Sequence, residues 1–105
     1  MIKVTIGYRN NQFSYLRSSG HAGYAKHGQD IICAAISGII PGGFEALKDG
    51  DEKYAAEVKE GFVELKSLSE MSEHDLAVID TIIAQIEGIA RSYPDYVSLE
   101  RKNDK

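Results

Sequence analysis

One cysteine, Cys33, stands twelve positions after His21, and Gly20, Gly23 and Gly28 are spread through the segment that leads to it. A thiol and an imidazole brought together by a fold make a nucleophile with its base. The imidazole takes the thiol proton, the thiolate attacks a carbonyl carbon, and the imidazolium protonates the leaving amine. His27 lies in the same segment, so residue types alone leave the base open between two histidines.

The apolar helical pattern that begins after Asp30 gives the cysteine a special place. Asp30 suits the N-cap, where a carboxylate accepts from N–H groups that lack intrahelical partners, and Cys33 then falls at the third helical position. The positive end of the helix dipole favours negative charge there, so the sequence predicts enhanced thiolate character. Ser37 follows four residues on, over Cys33 on the same helix face. Free N–H groups at the helix start are expected to receive an oxyanion. Each of these residues also has a plainer reading: a packed thiol, a loop histidine, a structural N-cap, a serine bonded back to its own helix, and glycines that only relieve turns.

The flanking elements must hold this segment. Ile2, Val4 and Ile6 alternate with Lys3 and Thr5, and Phe13, Tyr15 and Arg17 alternate after an Asn10-Asn11 turn, which reads as an antiparallel hairpin. His21 then sits at a strand exit, and the loop from Ala22 to Gln29 is long enough to return to the same sheet edge. The first helix carries Ile32, Ile36, Ile39, Ile40 and Phe44, with Pro41-Gly42-Gly43 expected to kink or break it. A second hairpin is read over Tyr54 to Val58 and Phe62 to Lys66. Ser72-Glu73-His74-Asp75 opens a second helix as a variant capping box, with His74 on its surface, and Leu76, Ile79, Ile83, Ile86 and Ala90 give it an apolar stripe. Asp95 to Leu99 closes as a strand before a charged tail, Glu100 to Lys105. The order ββαββαβ predicts one small α+β domain over residues 1–105, two helices packed on a mixed or antiparallel sheet.

Composition narrows the partners. Hydrophobic residues at 43% and charged residues at 27% give an ordinary globular balance. The net charge of -4 argues against nucleic acid and mildly favours a basic peptide. No apolar run approaches the roughly 20 residues a bilayer requires, and the first residues pattern as a strand rather than a signal peptide. A lone cysteine forms no internal disulfide, in keeping with a cytoplasmic protein.

The run from Gly20 to Ser37, G-H-A-G-Y-A-x-x-G-x-D-I-I-C-A-A-I-S, resembles the ribosomal-processing cysteine protease family called Prp. The family's glycine-histidine-alanine and D-x-x-C-A-x-x-S keep register here, and its length and element order fit nearly the whole chain. The resemblance implies that Cys33 is the nucleophile and His21, not His27, the general base, with Asp30 and Ser37 as supporting positions and no cofactor. It also implies the reaction: removal of a short N-terminal extension from a bacterial large-subunit ribosomal protein, the twenty-seventh in the usual naming. An aromatic residue before the cut is implied as well, for which Tyr24, Ile31 or the second hairpin offers an apolar pocket, together with a homodimer whose candidate surfaces are the hairpin edges and the helix with Ile82, Ile86 and Ile89. Pro41 departs from the uninterrupted family helix.

Two readings compete. His21, His27, Asp30 and Cys33 offer four candidate metal ligands within thirteen positions, although their spacing fits no familiar zinc pattern. Alternatively, the chain is a non-catalytic ribosome-associated binding module with an incidental cysteine.

Overall fold

Asn10 and Asn11 hold positive φ angles of 51° and 64°, the backbone that a two-residue hairpin turn requires and asparagine tolerates. They join β1 (Ile2–Arg9) to β2 (Gln12–Ser19). The computed structural model describes residues 1–26 and 29–104, so the expectations placed on His27 and Gly28 lie outside the described residues. After β2 come α1 (Ile31–Phe44), a 3-10 turn (Asp51–Lys53), β3 (Tyr54–Lys59), β4 (Phe62–Ser67), α2 (Glu73–Ser92) and β5 (Val97–Asp104).

The five strands form one mixed sheet in the order β3-β4-β2-β1-β5. β1 pairs antiparallel with β2 and parallel with β5, while β2–β4 and β4–β3 are antiparallel. Alternation puts Ile2, Val4, Ile6, Leu16, Leu65 and Val97 on one face, where they form a single core with Ile32, Ile36 and Ile40 of α1 and Ile79, Ile82, Ile83 and Ile86 of α2. Both helices therefore cover the same face. The expected order ββαββαβ is the observed one.

Three local expectations are corrected. α1 runs unbroken through Pro41 to Phe44. The proline stands close to the helix end, Ile40 before it is fully buried, and a Cβ on Gly43 would lie 2.6 Å from Ile82 Cγ1. The Pro-Gly-Gly run thus permits close approach to α2, and packing outweighs the hydrogen bond that proline removes.

The capping box is half formed. Ser72 Oγ accepts from the Asp75 N–H at 3.2 Å, but the Asp75 carboxylate turns away and Asp49 Oδ2 accepts from the Ser72 N–H instead. Asp75, fully buried, accepts from the N–H groups of Lys48 and Asp49 and from Tyr54 Oη at 2.7 Å. His74 Nδ1 lies 2.8 Å from Asp75 Oδ1, so this histidine joins the node rather than standing free.

The charged tail is strand: β5 pairs with β1 out to Arg9↔Asp104, and Arg101 bonds Glu87 of α2. Polar residues suit an edge strand, because the ladder uses backbone groups and the side chains remain in water.

Candidate active site

Gly20 ends β2 at φ 98°, and a Cβ there would overlap the Met1 carbonyl, so only glycine fits. Its N–H donates to the Gly61 carbonyl at 2.9 Å, tying the strand exit to the β3–β4 turn. His21 follows at once. Gly61 turns at φ 72°, and a Cβ on it would stand 3.0 Å from His21 Nε2, so the missing side chain makes the seat on which the imidazole rests.

The next residue reaches the cysteine. Ala22 is buried, and its N–H donates to Cys33 Sγ at 3.3 Å. Cys33 is half-buried in the first turn of α1 and forms no disulfide.

Asp30 binds loop and helix together. Oδ1 accepts from the N–H groups of Ile32 and Cys33 and Oδ2 from the N–H of Tyr24, each at 3.0 Å. The Cys33 N–H does most to hold its carboxyl below the usual aspartate range; burial opposes the shift, and the Tyr24 N–H assists it. The N-cap role is thereby real. Three of the N–H groups expected to be free at the helix start are engaged: Ile32 and Cys33 bond the Asp30 carboxylate, and Ala34 bonds the Asp30 carbonyl at 3.1 Å.

His21, Asp30, Cys33 and Ser37 all border one cleft of about 740 Å³, together with Gly20 and Gly23. Among the described residues no hydrogen bond joins the imidazole to the thiol, and Asp30 does not bond His21. The cleft's other wall is the β3–β4 hairpin, with Val58, Phe62 and Val63 as its apolar part and Lys59 to Gly61 at the turn. Tyr24 and Ile31 do not line it. Tyr24 packs edge-on against Tyr93 and Tyr96, at centroid distances of 6.0 and 5.2 Å, and Ile31 faces solvent on the side of α1 away from the core. Among the described residues no three His, Cys, Asp or Glu side chains gather as a metal site, and both Asp30 oxygens are already committed to backbone donors.

Of the three pocket candidates, the second hairpin is the one that lines the cleft. Its turn glycine was legible, but the Gly20–Gly61 bond that makes Gly61 the neighbour of His21 is a tertiary contact without a local signature.

Residues 1–98 match the family model described as cysteine protease Prp. The ribosomal processing cysteine protease Prp of Mycoplasma pneumoniae is 36% identical over 102 residues, covering 95% of this chain and 94% of that protein. The Bacillus subtilis protein of the same name is 33% identical over 110 residues, covering 90% and 92%. Among solved structures, the ribosomal processing protease Prp of S. aureus with a covalently linked product peptide has a TM-score of 0.89 at 21% identity. The match covers 97% of this chain and 100% of that one, a likeness of fold.

Proposed function

Because the chain belongs to the cysteine protease Prp family, we propose that Cys33 is its nucleophile and His21 its general base. The observation that carries this reading is the meeting of both side chains at one cleft, with the Ala22 N–H directed at Sγ. His21 takes the Cys33 proton as sulfur bonds the scissile carbonyl carbon. The tetrahedral intermediate expels the amine, which leaves with the proton from His21. A water, deprotonated by His21, then releases the acyl group from sulfur as a carboxylic acid.

Ala22 supplies the oxyanion donor in this reading. Its N–H already reaches Sγ, and when sulfur becomes a thioether the negative charge moves to the neighbouring oxygen, within a short shift of the same donor. Asp30 supports the site by fixing the loop to α1, and Ser37 lines the cleft one turn beyond the thiol. No cofactor takes part.

The substrate is the N-terminally extended precursor of the twenty-seventh large-subunit ribosomal protein. The relatives' names as ribosomal processing proteases support it, as does a net charge of -4 suited to a basic peptide. Val58, Phe62 and Val63 form the wall that receives an aromatic residue before the cut. No helix among the described residues is long and apolar enough to cross a membrane, which accords with work in the cytoplasm on a ribosomal precursor. The protease acts as a homodimer, for which sedimentation equilibrium is the test.

Incubation with the extended precursor, followed by N-terminal sequencing of the product, tests the activity. One new N-terminus just after an aromatic residue is expected; an intact precursor contradicts the substrate assignment.

A further inference from the structure

Ser37 and Pro41 stand one turn apart on α1, and both border the cleft that holds Cys33. A residue at position 41 ordinarily gives its N–H to the carbonyl four residues earlier. Proline has none, so the Ser37 carbonyl lacks its regular helical donor. The pyrrolidine ring also crowds that oxygen. The helix does not relax by ending there: it continues to Phe44, pinned by buried Ile40 and by the contact of Gly43 with Ile82. A carbonyl that lacks its regular donor thereby belongs to a residue of the cleft wall.

A peptide lying along α1 brings donors to it. One helical turn spans roughly 6 Å, the rise of about two residues of extended chain. Main-chain N–H groups that lose water on entering the cleft need acceptors, and the Ser37 carbonyl exchanges a water for one of them. We propose that the Ser37 carbonyl, freed by Pro41, is a substrate-binding acceptor that takes one main-chain N–H of the bound peptide about two residues from the scissile bond. The inference rests on the reading that this cleft holds the peptide cut by Cys33, and it makes Pro41 a positioning residue that acts through the Ser37 carbonyl.

Pro41→Ala and Pro41→Leu both return an N–H to the helix, and the leucine keeps apolar bulk at the cleft wall. Both also remove a helix-interior proline, so each is expected to fold and to melt no lower than the unaltered protein. The probe is a peptide spanning the cleavage site, with a series in which successive amides are replaced by esters, removing one N–H at a time. Dissociation constants are measured on a Cys33→Ala background, and cleavage of the parent peptide is measured separately with the intact enzyme. Expected are about fivefold weaker parent binding in both Pro41 variants and a similar loss for one ester position with Pro41 present, that position costing nothing further once Pro41 is replaced. Equal ester penalties with and without Pro41, or no peptide binding, overturn the inference. Binding with the expected pattern but no cleavage by the intact enzyme overturns only the protease assignment of Cys33 and His21.

Discussion

The Ala22 N–H donates to Cys33 Sγ across 3.3 Å, so the residue after His21 is bound to the sulfur itself. The histidine loop and the cysteine helix are fastened at two points, here and at the Asp30 carboxylate, which holds Tyr24 on one oxygen and Cys33 on the other.

His21 is exposed and takes no part in the core, so His21→Ala is expected to fold with an unchanged melting temperature. Loss of a general base lowers kcat by about 10² to 10⁴-fold. Steady-state kinetics against the extended precursor, beside a thermal melt, check both halves.

Gly61→Ala attacks the imidazole through its seat. A side chain there strains a positive φ by about 1 kcal/mol and presses on Nε2. A melting temperature lowered by a few degrees, with cleavage reduced about tenfold, is expected. Full activity in a folded Gly61→Ala protein contradicts the seat.

Asp30→Asn tests the clamp. With its folded-state carboxyl held below the ordinary value, Asp30 stabilises the fold above about pH 4, and that stability is lost as pH falls through the lowered value. The asparagine variant is expected to lack this part of the acid transition and to cleave more slowly, because an amide nitrogen does not accept from the Tyr24 N–H. Melts between about pH 2 and 6, with rates at neutral pH, give the comparison.

The Asp75 node sits away from the cleft and governs stability. Burial pushes its carboxyl up, but Tyr54, His74 and the Lys48 and Asp49 N–H groups outweigh it and hold the carboxyl well below the usual range. Burial and the Asp75 charge push the Tyr54 phenol well above its usual value. The carboxylate's contribution is present above about pH 4 and fades in acid, and the phenol's is present below about pH 10 and fades in alkali. Tyr54→Phe is expected to cost about 2 kcal/mol in urea unfolding at neutral pH and to flatten the alkaline limb. Cleavage by the folded fraction is expected to be unaffected.

Local chemistry explains how much of this was legible. Asn10-Asn11, the alternation of Ile2, Val4 and Ile6, and the isoleucine stripes of both helices each mark an element through short-range physics, and Asp30 announced a cap that it makes. The grouping of His21, Asp30, Cys33 and Ser37 at one cleft follows from the exit of the central strand β2 and the start of α1 lying together. At Pro41 helix propensity points to a break, whereas the packing of Ile40 and Gly43 decides for a continuous helix. Asp75 has the look of a capping residue, but apart from adjacent His74 its carboxylate's partners lie 21 to 27 positions away, beyond any local pattern. Tyr24 is drawn away from the cleft by edge-on packing against Tyr93 and Tyr96, from the far end of the chain.

The nucleophile is tested most directly by the rate at which Cys33→Ala cleaves the extended precursor, measured beside the unaltered protein and a melt of each. Cleavage falling to background in a protein that still folds is expected. Undiminished cleavage by Cys33→Ala contradicts the assignment of the reaction to this sulfur.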